Sequence, residues 1–181
     1  MASGKITAVG LARKGGQMHE AEVVALKKLV RLIQSPKPVF LNIGAGLEGI
    51  STLAMLEERP DAVIFSIDVE PCPGEAESLR KAGMDPRRVI RLLGRSQDIG
   101  QYWCWPVDFA FIDGEHLYSA VMSDIELFVP WVMEIIAFHD YIPCPSAKKM
   151  RRAKFAIDEG MAGYEKILHV DRLIAFWQKI V

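Results

Sequence analysis

The chain has 181 residues, of which 50% are hydrophobic and 25% are charged. This composition is typical of one globular domain with its own core and excludes a disordered or collagen-like chain. Lysine and arginine (22) nearly balance aspartate and glutamate (23), so the surface as a whole is not built for nucleic acid. The three cysteines, Cys72, Cys104 and Cys144, show no metal-site spacing, and neither a disulfide framework nor a zinc site is expected.

The sequence shows no targeting or membrane-spanning segment. Residues 1–10 contain no apolar run behind a basic start, so no signal peptide is expected. The longest nearly apolar stretch, 128–138, is interrupted by Glu134 and is too short to span a bilayer. We therefore expect a cytoplasmic protein with no membrane partner.

Hydrophobic patterning predicts a helix first and then an alternation of strands and helices. Apolar residues at helical spacing predict a helix over 18–34, which ends at the prolines of 35–38. Two β-like runs close the chain, and the Asp171–Arg172 step between them suits a tight hairpin. Strands are predicted at 39–43, 62–68, 89–93, 107–112, 135–138, 164–170 and 173–178, and helices at 51–58, 75–82, 118–129 and 146–159.

Buried strands that alternate with helices predict an α/β fold with a mainly parallel sheet covered on both faces. Ligands in such sheets bind at the carboxyl ends of the strands. We interpret 1–181 as a single domain, with a helical segment at 1–38, a ligand-binding core at 39–145 and a helix with hairpin at 146–181. Glycine or polar residues follow all five parallel strands, and together they predict one site: Gly44, Asp68, Ser96, Asp113 and His139–Asp140.

The loop after the first strand has the pattern GxGxxG, from Gly44 to Gly49, and it opens a helix. Glycines permit a tight turn and close approach of a ligand, and the free amides of a helix N-terminus favour an anionic or polar group. Asp68 lies 19 residues after Gly49 at the end of the next strand, where an acid can accept hydrogen bonds from a ribose. The motif alone predicts an adenosine-containing cofactor, either a nicotinamide or flavin nucleotide or S-adenosylmethionine.

The length of the chain favours S-adenosylmethionine over a dinucleotide. A dinucleotide fold needs a second mononucleotide-binding half and usually a separate substrate domain. Little sequence is left here for either, so one adenosyl half-site with a compact substrate pocket fits better. An NAD(P)-dependent oxidoreductase stays open as an alternative.

Several segments in order and spacing resemble class I S-adenosylmethionine-dependent methyltransferases. The closest resemblance is to the small-molecule O-methyltransferases of the macrocin and novobiocin type and to cephalosporin-hydroxylase-like proteins. The specific part is Ile-Asp-Gly-Glu-His at 112–116 followed by His-Asp-Tyr at 139–141. The other matching segments are Phe-Leu-Asn-Ile-Gly-Ala-Gly at 40–46, Ser-Ile-Asp at 66–68 and Gly-Arg-Ser at 94–96.

The resemblance implies a Rossmann-like three-layer sandwich with a mostly parallel seven-stranded sheet and a C-terminal antiparallel hairpin. It implies methyl transfer from S-adenosylmethionine to a hydroxyl of a small molecule, in a pocket that is open or completed by a second subunit of a homodimer. Nucleic acid is not the expected partner. The residues it implies for cofactor binding are Asn42, Gly44, Ala45, Gly46, Asp68, Val69, Ser96, Gln97, Asp113 and Gly114.

Two departures from the family pattern leave a third possibility, a non-catalytic protein on the same fold. Asn42 stands where the family usually has an acid, and 131–134 replaces a Pro-Gly-Gly turn.

The resemblance also implies a divalent cation, held by Asp113, His139 and Asp140. Mg²⁺ prefers oxygen ligands, and a histidine in the set admits Mn²⁺. For removal of the acceptor's proton, His116 is the first candidate, because the unperturbed pKa of histidine, about 6.5, lies near neutral pH. Glu115 and His139 are alternative bases, and Asp113 is expected where cofactor and substrate meet.

Overall fold

The carboxyl ends of the parallel strands meet at one edge of a seven-stranded sheet. The structure is a computed structural model that describes residues 5–141 and 148–178. The strands are β1 (Val39–Ile43), β2 (Val63–Asp68), β3 (Val89–Leu93), β4 (Val107–Ile112), β5 (Val132–Phe138), β6 (Lys166–Val170) and β7 (Leu173–Trp177).

The strand order in the sheet is β3-β2-β1-β4-β5-β7-β6. Strands β1 to β5 pair in parallel, whereas β7 pairs antiparallel with both β5 and β6. The predicted α/β sheet with a terminal antiparallel hairpin is thereby confirmed.

Helices cover both faces of the sheet. They are α1 (Ala8–Arg13), α2 (Glu20–Leu32), α3 (Ile50–Glu58), α4 (Pro73–Lys81), α5 (Ser96–Gly100), α6 (Tyr118–Phe128) and α7 (Lys148–Gly160), and two 3₁₀ turns lie at Pro86–Arg88 and Val129–Trp131. None of the helices described here has the length and apolar character needed to cross a membrane.

Successive side chains of the central strands pack into two separate hydrophobic cores, one on each face of the sheet. In β1, Phe40 packs on the side of α2 and α3, and Leu41 packs on the side of α6 and α7. This period of two is the expected consequence of a strand buried on both faces. The phenyl rings of Phe40 and Phe109 meet edge to face, with centroids 5.7 Å apart.

The differences from the predicted elements are local. Helices α1 and α5 were not predicted, β5 begins three residues earlier than expected, and α4 begins at Pro73, which suits the first turn of a helix. Residues 146–147 of the last predicted helix and Cys144 lie outside the described residues.

Candidate active site

A cavity of about 650 Å³ opens at the carboxyl ends of the parallel strands. Its size is that of a typical small-molecule site. Most of the predicted site residues line it: Gly44, Gly46, Asp68, Val69, Ser96, Gln97, Asp113, Gly114, His116, His139 and Asp140.

Two residues predicted to bind the cofactor are placed differently. Asn42 is fully buried, and its amide donates to the hydroxyls of Ser51 (3.0 Å) and Thr52 (2.8 Å) on α3. Its side chain therefore supports the helix behind the glycine loop and does not line the cavity. Ala45 lines an adjoining cavity of about 310 Å³, which shares Gln17, Gly44 and Asp113 with the first.

The glycine loop approaches the end of β4 so closely that only glycine fits. Gly44 has a φ of +82°, and a Cβ there would lie 2.0 Å from the carbonyl oxygen of Asp113. The loop is anchored on the other side, where the N–H of Gly44 donates to the carbonyl of Ile67 over 2.9 Å. The ends of β1, β2 and β4 are thus held together at the floor of the cavity.

The Asp68 carboxylate fixes the glycine loop against the end of β2. Its carboxylate accepts from the backbone N–H of Gly46 (3.1 Å) and from that of Glu70 (2.9 Å). Asp68 nevertheless lines the cavity, so a carboxylate with fixed direction faces any ligand beside the loop.

A cluster of acids and histidines forms the other end of the cavity. Oδ1 of Asp113 lies 3.2 Å from Nδ1 of His139 and 3.4 Å from Nε2 of His116. The same His116 nitrogen lies 2.9 Å from Oδ2 of Asp140. The residues predicted for catalysis and for metal binding therefore form one contiguous group.

Two residues that the sequence analysis missed complete this group. Glu22 of α2 is fully buried, and its Oε2 lies 3.1 Å from Nε2 of His139, although not in line for a hydrogen bond. Arg172, in the hairpin turn between β6 and β7, reaches Oε1 of Glu22 with Nε (3.1 Å) and Oδ1 of Asp140 with Nη1 (3.1 Å).

The sequence carries a signal for Glu22 but not for Arg172. Glu22 shares helical spacing with the buried Leu26 and Leu29, so it is an acid on an apolar face, and buried acids are rare unless they are paired. Nothing in the pattern of a two-residue turn marks an arginine as functional.

The charges in the group shift one another's protonation. The hydrogen bonds to Asp113 and Asp140 raise the pKa of His116 to about 9. Burial lowers the pKa of His139, but the hydrogen bond and charge of Asp113 outweigh it and raise that pKa to about 11. Both imidazoles are therefore protonated at neutral pH, and the expectation that His116 titrates near neutral pH is wrong in this arrangement.

The acids of the group respond in the opposite direction. Burial raises the pKa of Glu22, yet the close contact with His139 and the hydrogen bonds from Arg172 outweigh burial and lower that pKa to about 2. The pKa of Asp140 falls well below its ordinary value, because His116 and His139 outweigh the effect of burial.

The side chains predicted to hold a metal have a suitable arrangement. Asp113, His139 and Asp140 offer ligand atoms that all lie within 4.8 Å of one another. The far nitrogen of His139 faces Glu22, and a carboxylate at that position commonly orients a metal-bound histidine. The set fits a divalent cation that accepts imidazole, and binding at Nδ1 would release the proton that this nitrogen carries.

Comparison with known proteins supports the family resemblance. A family model described as "Methyltransferase domain" matches residues 41–141. A "Putative O-methyltransferase" of Mycobacterium sp. (strain JLS) is 32% identical over 106 residues, which are 55% of this chain and 46% of that protein. The chain thus spans about half the length of this curated relative.

Solved structures share the fold across nearly the whole chain. A protein of Corynebacterium glutamicum superposes with a TM-score of 0.77 at 16% identity, covering 99% of this chain and 93% of the other. A methyltransferase of Podospora anserina bound to S-adenosylhomocysteine gives 0.67 at 18% identity, with 96% and 86% covered. Since the family model spans more than half of the 181 residues and includes the strands and loops around the cavity, the chain belongs to the methyltransferase domain family.

Proposed function

We propose that this protein transfers a methyl group from S-adenosylmethionine to a hydroxyl of a small molecule. The observation that carries the proposal is that one cavity joins the glycine loop and Asp68 at one end to the Asp113–His116–His139 cluster at the other. S-Adenosylmethionine supplies a methyl group that its sulfonium has already activated, so the protein's task is mainly to align and to remove a proton.

The cofactor half of the cavity is assigned to the glycine loop and the ends of β2 and β3. Gly44 and Gly46 allow a ligand to approach the backbone, and the Asp68 carboxylate is directed to accept from ribose hydroxyls. Val69 offers an apolar contact for the base, with Ser96, Gln97 and Gly114 on the other side. Asn42 would support the loop from behind through α3, and Ala45 lies on the side of the loop that lines the adjoining cavity.

The acceptor half is assigned to the acid–histidine cluster. His116 lines the cavity beside Asp113 and Asp140 and is placed to receive the acceptor's proton. With its pKa raised to about 9, it is a strong base that is neutral in about one molecule in a hundred at pH 7. We therefore expect the rate of methyl transfer to increase as the pH rises from about 7 toward about 9.

A divalent cation, if bound, would be held by Asp113, His139 and Asp140. It would supply a Lewis acid that lowers the pKa of the acceptor's hydroxyl. Glu22 and Arg172 would keep His139 and Asp140 in position in either case.

Calorimetric titration tests the proposal. We expect micromolar binding of S-adenosylmethionine and S-adenosylhomocysteine, at least about tenfold weaker binding in Asp68→Ala, and no binding of NAD. A tenfold loss corresponds to about 1.4 kcal/mol, within the range for a lost hydrogen bond to a charged group. Repeating the titration with Mn²⁺ and with Mg²⁺ tests the metal assignment.

Binding of NAD alone would contradict the proposal in favour of an oxidoreductase. Failure of all three compounds to bind would favour a non-catalytic protein. An exposed acid far from the cavity, as in Glu77→Ala, is the control and should bind as the unaltered protein does.

A further inference from the structure

A buried carboxylate lies directly behind the part of the cavity assigned to the adenine base. Asp124 of α6 is fully buried and does not itself line the cavity. Its Oδ1 accepts from the hydroxyl of Ser96 (2.7 Å) and from Nε2 of Gln97 (3.0 Å). Both partners belong to the first turn of α5, and both line the cavity.

Burial of the Asp124 carboxylate is energetically unfavourable, and packing alone does not explain why an acid occupies this position. Its Oδ2 is buried and has no hydrogen-bond partner among the described residues. Burial raises the pKa of Asp124 to about 6 against the hydrogen bonds from Ser96 and Gln97. Buried, incompletely paired carboxylates are expensive and tend to occur where function requires them.

The carboxylate dictates how its two partners are oriented. An ionised carboxylate only accepts hydrogen bonds, so the Ser96 hydroxyl and the Gln97 amide must both donate to it. The Gln97 amide then turns its N–H₂ group toward Asp124, and its carbonyl oxygen is left for the cavity. A glutamine free of this partner could present either end to a ligand.

We propose that Asp124 is a specificity-determining positioning residue, which fixes the Gln97 amide so that its oxygen accepts from the 6-amino group of adenine. A purine with a 6-oxo group would place a second acceptor against that oxygen and be rejected. The inference rests on the proposed function, since it requires an adenosyl ligand in this cavity.

The test compares S-adenosylhomocysteine with its deaminated analogue, S-inosylhomocysteine, by calorimetry at about pH 8, above the pKa of Asp124. The unaltered protein should prefer the adenosyl compound by about tenfold or more. In Asp124→Leu, which removes the acceptor, the preference should fall below about threefold. In Asp124→Asn, which keeps one acceptor oxygen, it should fall to an intermediate value, and this variant carries the test if the leucine variant does not fold.

Two controls separate orientation from a merely structural role. Glu75→Gln alters another fully buried acid, which accepts from Thr52 of α3 and from Ser66 of β2, and should leave the preference unchanged. Gln97→Leu should lose the preference, and adding Asp124→Leu to it should cause no further loss, because the two residues act in series.

The results that would contradict the inference differ from those that would contradict the proposed function. An unchanged preference in both Asp124 variants would overturn the inference, as would additive effects of Asp124→Leu and Gln97→Leu. Failure of S-adenosylhomocysteine to bind the unaltered protein would overturn the proposed function and this inference with it.

Discussion

Some side chains at this site lower the stability of the folded protein, and Asp124 is the clearest example. Its carboxyl is fully buried, with one oxygen lacking a hydrogen-bond partner among the described residues. The ionised form is therefore penalised in the folded protein relative to the unfolded chain. Stability and ligand recognition pull in opposite directions at this residue, as is common at functional sites.

The pH dependence of stability should reveal this cost. The pKa of Asp124 is raised from its ordinary value of 3.8 to about 6 in the folded protein, so the folded state binds more protons than the unfolded state between these values. Asp124 therefore makes the free energy of unfolding decrease as pH rises through this window. We expect Asp124→Asn to be more stable than the unaltered protein by about 2 kcal/mol above about pH 7.

Urea unfolding at several pH values measures this difference. The two proteins should converge at about pH 3, below both pKa values, where the carboxyl is mostly protonated in both states. An equal difference at all pH values would show that the charge of Asp124 is not its cause.

The pKa of His116 likewise depends on its neighbours in the folded protein. Its residue type alone suggested titration near neutral pH, whereas two neighbouring carboxylates raise its pKa to about 9. Asp140 comes from the end of β5, 24 positions beyond His116 in the sequence, so the shift depends on a tertiary contact that local sequence does not display.

Among the secondary elements, three parallel strands could be predicted with their observed bounds. β1 and β4 are short apolar runs, as burial on both faces requires, and β3 is a short, mainly apolar run although it lies at the edge of the sheet. α1 and α5 have only six and five residues, too few for helical periodicity to show. β5 was predicted too short because Glu134 interrupts its apolar run, but this carboxylate accepts from the backbone N–H groups of Gln34 and Ser35.

The candidate site was predictable where it lies at strand ends and not where remote elements enter it. The glycine loop, Asp68, Asp113 and His139–Asp140 follow from the topology of a parallel sheet. Glu22 and Arg172 come from α2 and the hairpin turn, and their approach depends on tertiary packing. Asn42 was assigned to the cofactor by resemblance, yet its amide contacts α3.

Two glycines of the first loop allow a matched comparison. Both have positive φ, but a Cβ at Gly44 would strike the Asp113 backbone (2.0 Å), whereas one at Gly46 would meet the end of the exposed Gln17 side chain (2.1 Å). A backbone cannot yield as a side chain can. We expect Gly44→Ala to lower the free energy of unfolding by about 3 kcal/mol and Gly46→Ala by about 1 kcal/mol. Equal losses by urea unfolding would contradict this account of the loop.

The contact between α2 and the hairpin turn should be measurable as a coupling energy. Removing one partner leaves the other charge buried and unpaired, so Glu22→Gln is expected to cost about 3 kcal/mol. Arg172→Met should cost somewhat less, because Arg172 is partly exposed. The double variant should lose less than the sum of the two, by about 1 kcal/mol or more.

The control for this cycle is the pair Arg87–Asp85, which is largely exposed to solvent. Screened pairs of this kind contribute little, and Arg87→Met should leave the unfolding midpoint almost unchanged. Strict additivity of the Glu22 and Arg172 variants would mean that their contact does not stabilise the fold.

For the whole molecule, ligand binding and global stability should be linked. A ligand that binds only the folded state adds about 2.7 kcal/mol when its concentration is one hundred times Kd. For a domain of this size that corresponds to a rise in Tm of about 5 to 11 °C. S-Adenosylhomocysteine should produce this shift in a thermal melt, whereas NAD at the same concentration should leave Tm where it is.

The contact between Glu22 and Arg172 also has a consequence for biosynthesis, since 150 positions separate the two residues. While the chain emerges from the ribosome, the first half of the sheet and α2 exist before the hairpin does. Until Arg172 arrives, seating α2 would bury the Glu22 carboxylate without its guanidinium, which is unfavourable. We therefore expect the acceptor half of the cavity to be complete only after Arg172 has been synthesised.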